Sequence, residues 1–122
     1  ETDQMGYCYY GNYAQYLEVG RVEALRSVGM SYKSLEARGI MLPVSNLSVN
    51  YKLPAKYDDL LNIQTTIVEL RGPRLIFDYT IEIEGKEIAT ATTTLVFVGK
   101  NDMRPIQPPS DFIALLEQHE IK

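Results

Sequence analysis

The chain has 122 residues, 45% of them hydrophobic and 23% charged, which is typical of a globular protein, so we predict a single domain over residues 1–122. Its formal net charge of -4 argues against a nucleic-acid partner, and no apolar run approaches the roughly 20 residues of a membrane-spanning helix. We therefore expect no membrane partner. The only cysteine, Cys8, cannot form an internal disulfide, which favours a reducing compartment and a cytoplasmic location.

A long helix is predicted near residues 11–28, followed by a short one over residues 31–39. Asn12 is expected to cap the long helix, since Gln15 follows three residues later as in a capping box, and Gly29 is a natural stop. Its apolar face consists of Tyr13, Leu17, Gly20, Ala24 and Val28. This spacing predicts that one side of the helix is buried.

Two positions inside the long helix predict its surroundings. Gly20 lies on the apolar face although glycine costs about 1 kcal/mol relative to alanine in a helix, so we expect a sheet to pack closely at that point. Glu18 and Arg21 are three residues apart, and we expect them to pair with each other in a structural role.

From residue 47 the apolar residues follow a period of two, which predicts four strands. The strands cover residues 47–53, 60–70, 75–83 and 87–98. The apolar members of the first strand are Leu47, Val49, Tyr51 and Leu53. Tight turns over residues 71–74 and 84–86 join the last three strands as hairpins, and Ser110 is expected to cap a terminal helix. The order predicts an α+β domain in which a curved sheet of strands in antiparallel succession wraps around the long central helix.

The usual catalytic residue sets are absent from the sequence. The only histidine, His119, lies in a polar C-terminal tail, so neither a Ser-His-Asp nor a Cys-His arrangement has a base. No His/Cys cluster has metal-ligand spacing, and neither a P-loop nor a dinucleotide-binding motif is present, so we expect no metal and no organic cofactor. The YDD sequence at residues 57–59 could hold a cation, although adjacent acids in such a loop are more often solvated turn residues.

One carboxylate, Asp3, stands just ahead of the long helix. A helix N terminus presents unpaired N–H groups and the positive end of the helix dipole, which can hold the oxyanion that forms when a carbonyl is attacked. Gly6 and Gly11 would let a ligand approach the backbone, and Asp3 could attack the carbonyl or orient a water. On these residues alone, an ordinary turn or capping acid is the simpler interpretation of Asp3.

Residues 2–26, TDQMGYCYYGNYAQYLEVGRVEALR, resemble the signature of hotdog-fold acyl-CoA thioesterases, closest to the 4-hydroxybenzoyl-CoA thioesterase branch. The positions that carry the motif are Asp3, Gly6, Cys8, Tyr10, Asn12 and Tyr13. The likeness continues through residues 42–65 and the following hairpins to residues 104–109, so it covers nearly the whole chain. The resemblance implies a hotdog fold and a thioester hydrolase, and the motif does not specify the acyl group.

The resemblance also implies roles for particular residues. Asp3 would be the catalytic carboxylate, acting either as nucleophile or as general base on water, and the backbone N–H of Tyr10, with neighbouring Gly11, would hold the thioester oxygen. Tyr7, Asn12 and Tyr13 would lie near the substrate. A thioester suits so sparse a site, because its acyl carbon is activated and its thiolate leaving group, with a thiol pKa of about 8.5, needs little protonation.

The implied partners are an acyl-CoA or acyl-carrier thioester with a small or medium acyl group, and a second copy of the chain. Members of this family pair their sheets across a two-fold axis, so a homodimer or homotetramer is expected. The phosphates of coenzyme A call for cations, and Arg71, Arg74 and Lys100 are the candidates, although each is more simply a solubilising surface charge.

The sequence departs from the family pattern at two places, and separately one alternative function stays open. The family's first strand normally precedes the aspartate, whereas this chain starts at Glu1, and several relatives carry histidine where Tyr10 stands. The alternative is a non-catalytic hotdog module that binds acyl groups or forms an assembly, and such a module has no need of Asp3. A hydratase on this fold is weaker, because it requires a histidine close to the aspartate.

Overall fold

The computed structural model describes residues 10–53 and 61–121, with side chains of the first helix described from Gln15 onward. The elements are α1 (Tyr10–Ser27), α2 (Tyr32–Ala37), β1 (Ile40–Met41), β2 (Val44–Tyr51), β3 (Leu61–Arg71), β4 (Arg74–Ile83), β5 (Lys86–Val96), β6 (Val98–Gly99) and α3 (Ser110–Gln118). The predicted α+β class, with the helices and main strands in the predicted order, is confirmed.

Four strands form one antiparallel sheet in the order β2-β5-β4-β3, and β1 and β6 form a separate two-stranded ribbon. The hairpin between β4 and β5 turns through Glu84 and Gly85, whose φ values of 52° and 79° fit a two-residue loop. The predicted antiparallel succession is wrong for β2, which pairs with β5 and not with β3. Nine residues separate β2 from β3, which is too many for a two-residue hairpin loop. Instead β2 adds to the free edge of the hairpin-joined strands, where its half-buried Leu47 and Val49 lie beside Thr93 and Ala91.

The core lies between α1 and one face of this sheet. The buried residues of that sheet face alternate along the strands and are Ile67, Leu75, Phe77, Tyr79, Ile81, Ala89, Ala91, Thr93 and Leu95. From α1, Leu17, Leu25 and Val28 are buried in the same cluster. The prediction that a sheet covers the apolar side of the long helix is therefore confirmed.

Three predictions about the ends of elements are wrong. Asn12 lies inside α1, because the helix already includes Tyr10, and a cap preference of about 1 kcal/mol is too small to fix a boundary. Ser110 is the first residue of α3; Pro109 precedes it with φ -58° and supplies no side-chain cap, since proline has no side-chain acceptor. The strand predicted over residues 47–53 covers Val44–Tyr51, so Leu53 lies beyond its end.

The C-terminal helix α3 packs against the same core. Its Phe112 and Leu116 are buried, and the Phe112 ring lies 5.3 Å from that of Phe97. Arg38, just after α2, donates two hydrogen bonds of 2.9 and 3.1 Å to the carboxylate of Asp111. None of the helices in residues 10–53 and 61–121 has both the length and the apolar character that a bilayer crossing requires.

Gly20 marks the point where α1 comes very close to β3. A Cβ atom added at Gly20 would collide with the Oγ1 atom of Thr65 on the inner face of the sheet. The expectation that the sheet packs closely at this glycine is therefore confirmed, and the close approach explains why the helix carries a residue that lowers its intrinsic stability.

Replacing Gly20 by Ala is expected to lower the free energy of unfolding by about 1–2 kcal/mol, because the collision outweighs the helix-propensity gain. Urea denaturation measures the change. In a Thr65→Ala background the same replacement is expected to be neutral or stabilising, since the colliding hydroxyl is gone. A gain of about 1 kcal/mol from Gly20→Ala in the wild-type chain would contradict the close contact.

Candidate functional site

The start of α1 is the first element of the candidate site. The helix begins at Tyr10, so the N–H groups of Tyr10 and Gly11 have no carbonyl four residues earlier within the helix to bond. The first turn of α1 contains no acidic residue, so no side chain there offsets the positive end of the helix dipole. These two amides can therefore stabilise negative charge on a ligand oxygen.

Several of the predicted site residues lie outside the described part of the chain. Asp3 and Tyr7 are in residues 1–9, and the side chains of Asn12 and Tyr13 on α1 are not described. Cys8 and the YDD loop at residues 57–59 also fall outside it. The roles assigned to these side chains, and to the backbone N–H groups of Tyr10 and Gly11, stay predictions; Tyr10 and Gly11 are the first two residues of α1.

A polar cluster lies under the middle of α1. Arg21 is 7% exposed, and its Nη1 donates a hydrogen bond of 3.1 Å to the phenol oxygen of Tyr79 on β4. The same phenol oxygen lies 2.7 Å from Oγ1 of Thr93 on β5. The predicted Glu18–Arg21 pair is wrong, because Arg21 points into the core while Glu18 is exposed.

Arg21 was overlooked as a core residue because the charge spacing was weighted above its position on the helix. It lies four residues after Leu17, four before Leu25 and seven before Val28, all of which are buried. That spacing places Arg21 in the centre of the apolar face. The helical spacing of the buried residues therefore predicts that Arg21 is buried as well.

The electrostatics of the cluster keep the arginine charged and the phenols neutral. Burial lowers the pKa of Arg21, but its hydrogen bond and charge interaction with Tyr79, together with those to Tyr32, leave the pKa above its ordinary value. Burial raises the pKa of Tyr79 and of Tyr32, more than their interactions with Arg21 lower it. Within the described residues, Arg21 Nε and Thr65 Oγ1 are buried without a hydrogen-bond partner.

An open groove of about 470 Å³ runs between α1 and β3. Its lining residues are Tyr16, Val19, Gly20, Glu23, Ala24, Ser27, Leu61, Ile63 and Thr65. Because β3 is at the edge of the described sheet, no described strand covers this side of α1.

The three candidate phosphate-binding cations do not all come together. Arg71 and Arg74 are register partners at the tip of the β3–β4 hairpin, and both are exposed. Arg71 also donates a hydrogen bond of 2.8 Å to Glu69. Lys100 lies away from this hairpin, in a surface pocket that it lines together with Lys33, Glu36 and Ala37 of α2.

The described residues offer no alternative metal or histidine chemistry. In residues 10–53 and 61–121, no group of three His, Cys, Asp or Glu side chains is placed to hold a metal ion. His119 is exposed at the C-terminal end of α3, as its place in the polar tail predicts.

Comparison with known proteins gives consistent results. A family model described as the thioesterase-like superfamily matches residues 1–116. The acyl-CoA thioester hydrolase YbgC of Escherichia coli O6:H1 is 33% identical over 119 residues, which are 97% of this chain and 89% of that protein. The crystal structure of DHNA-CoA thioesterase from Staphylococcus aureus superposes with a TM-score of 0.89 at 31% identity, covering 98% of this chain and 83% of that one.

A third likeness concerns the fold alone. The crystal structure of a 4-hydroxybenzoyl-CoA thioesterase variant with its substrate has a TM-score of 0.80 at 24% identity. It covers 93% of this chain and 88% of that one.

Proposed function

This chain belongs to the thioesterase-like superfamily, and we propose that it hydrolyses acyl-CoA thioesters with a small or medium acyl group to the free acid and coenzyme A. Water supplies the oxygen of the new carboxyl group, and the cleaved C–S bond leaves a thiol. The resemblance of residues 2–26 to acyl-CoA thioesterases and the predicted hotdog fold are both confirmed by the relatives and solved structures described above.

The observation that carries this proposal is that α1 begins at Tyr10 and has no acidic residue in its first turn. The thioester carbonyl oxygen accepts hydrogen bonds from the N–H groups of Tyr10 and Gly11, and these bonds strengthen as the oxygen gains negative charge in the transition state. Fixed donors of this kind are the main electrostatic contribution that an acyl-transfer site can make. The geometry of α1 supports the proposal because both donors come from consecutive residues of its first turn.

Asp3 supplies the remaining chemistry in this proposal. Its carboxylate either attacks the acyl carbon, with water then cleaving the resulting anhydride, or takes a proton from the attacking water. The thiolate leaves with little need of a proton donor, so the absence of a histidine from residues 1–16 is no obstacle. No residue of this chain needs to bind a metal or an organic cofactor for this reaction.

The edge of the sheet supports a homodimer. The outer edge of β2 has no partner strand within the described residues. Val44, its first residue, is 44% exposed, and Leu53, two residues beyond its last, is 38% exposed. An open edge with exposed apolar residues is a surface that proteins normally cover. We propose that β2 of a second copy covers it, related by a two-fold axis.

Asp3→Asn is expected to reduce kcat for acyl-CoA hydrolysis by about 10²- to 10⁴-fold, because the substitution removes the base or nucleophile. Release of free thiol from a panel of acyl-CoA substrates measures the rate. Asp78→Asn is the matched control, since Asp78 is exposed and its Oδ1, which an asparagine retains, accepts from Thr92. Equal rates for Asp3→Asn and wild type would remove Asp3 from the mechanism, whereas an inactive wild type that still binds acyl groups would favour the non-catalytic module.

Replacing both Arg71 and Arg74 by Met is expected to raise KM for acyl-CoA several-fold and leave kcat unchanged, because phosphate contacts contribute to ground-state binding. The same acyl group on N-acetylcysteamine, which lacks the nucleotide, tests the assignment, since its KM should not change. Lys86→Met at the other hairpin is the control, and Lys100→Met is measured separately. A KM increase on both substrates alike would rule out the phosphate role.

Sedimentation equilibrium is expected to give a species of twice the 13.9 kDa chain mass at assay concentrations. Val44→Lys combined with Leu53→Lys should shift it toward monomer, because charges on an edge strand oppose pairing. Val68→Lys is a control, since Val68 is 39% exposed on β3 at the opposite edge. A single-chain mass for wild type throughout this range would contradict the dimer.

A further inference from the structure

Two consecutive residues of α1, Gly20 and Arg21, contact two residues that are paired in the sheet. Thr65 on β3 and Tyr79 on β4 face each other in the ladder. Gly20 lies against Thr65, and Arg21 donates its hydrogen bond to Tyr79. Because neighbouring helix positions contact neighbouring strands in one row of the sheet, these contacts together restrict both sliding and rotation of α1.

The arginine at this position is poorly explained by stability alone. Its side chain is almost fully buried, Arg21 Nε has no acceptor, and its interaction partners are the neutral phenols of Tyr79 and Tyr32 and not a carboxylate. Burying a guanidinium without complete hydrogen bonding is unfavourable, and apolar residues at such positions are often as stable or more stable. An apolar side chain, however, has no preferred direction, whereas the planar guanidinium orients its donors in fixed directions.

The Tyr79 end of the contact is itself fixed. Its phenol oxygen is held at 2.7 Å from Thr93 Oγ1, and both residues are buried on adjacent strands. On the other side of α1, Gly20 packs against Thr65 of β3 beside the open groove. Rotation of the helix about its axis is therefore opposed by the directional contact from Arg21 to Tyr79 as well as by the packing of Gly20 against Thr65.

A small movement at Arg21 becomes a larger one at the start of the helix. Eleven residues separate Arg21 from Tyr10, which corresponds to about 16 Å along the axis, so a tilt of about 10° moves the first amides by about 3 Å. A misplacement of about 1 Å is enough to reduce a reaction rate by about 10²-fold. The contact is therefore in a position to set the geometry at the N terminus.

We propose that Arg21 is a positioning residue, which through Tyr79 and Thr93 sets the rotation and tilt of α1 so that the amides of Tyr10 and Gly11 meet the thioester oxygen. The inference rests on the proposed function for its catalytic consequence. The structural part of the inference is that Arg21 determines the position of the start of α1. That part depends only on the contacts of the described residues.

The test compares Arg21→Met and Tyr79→Phe with Arg26→Met, an exposed arginine of the same helix that pairs with Glu23. For the first two variants we expect kcat per folded molecule to fall about 10-fold or more with KM nearly unchanged, because the loss concerns transition-state geometry. The control should keep wild-type kcat. The loss of kcat in the double variant Arg21→Met/Tyr79→Phe should be smaller than the product of the two single losses, since both substitutions remove the same contact between Arg21 and Tyr79.

Conservative replacements test whether the direction of the hydrogen bonds matters, apart from the charge and size of the side chains. Arg21→Lys keeps the charge but not the planar fork, so it should recover little of the lost kcat. Thr93→Ser keeps the hydroxyl that fixes Tyr79 and should retain activity that Thr93→Val loses. If all of these variants lose stability while kcat per folded molecule stays at the wild-type value, Arg21 has a structural role only and the proposal is wrong.

A second readout does not depend on activity. Backbone amide chemical shifts of residues 10–14, recorded by ¹⁵N NMR, should move in Arg21→Met and Tyr79→Phe and stay in place in Arg26→Met. Unmoved shifts in both core variants would overturn the proposal even if activity falls. If the wild-type protein hydrolyses no thioester, the proposed function fails, and the shifts still decide whether Arg21 sets the start of α1. Should Arg21→Met not fold, Tyr79→Phe, which removes one oxygen, carries the same test.

Discussion

The packing of α1 against the inner face of the sheet is the constraint on which the rest of the molecule depends. Glycine at position 20 allows the helix to approach β3, and the guanidinium of Arg21 reaches the phenol of Tyr79 one strand further in. The apolar residues of α1 supply the burial that holds the layers together, but they would tolerate several rotations of the helix. The polar contact selects one of them, at the cost of burying an incompletely bonded cation.

The chemistry proposed for this domain makes unusually small demands on side chains. Hydrolysing a thioester requires a stabilised oxyanion and a positioned nucleophile, and a good leaving group removes the need for a proton relay. Backbone amides at the start of a helix meet the first requirement without any particular side chain. Much of the catalytic capacity therefore lies in how the helix is placed, so residues far from the substrate can matter as much as residues that contact it.

The sequence predicted the parts of the fold that depend on local pattern. The alternation in β3 and β4, the turn residues Gly72 and Gly85 with positive φ, and the stop of α1 are all encoded within a few neighbouring positions. The pairing of β2 with β5 was missed because it depends on which sheet edge remains free, which no local pattern records. The inward direction of Arg21 was missed because an i,i+3 charge rule was preferred to the helical period. The site itself was reached through the motif around Asp3, and of that motif the structure describes only the helical backbone from Tyr10 onward.

The sheet order has a consequence for how the protein reaches its folded state. The two hairpins of β3, β4 and β5 join neighbouring segments and can form early, whereas the bond from Arg21 to Tyr79 spans 58 positions of the chain. The contacts that orient the helix therefore form after the surface that receives them. During biosynthesis α1 is made before β3, β4 and β5, so it has no such sheet to dock on until they have followed, and the start of the helix reaches its final position late in folding.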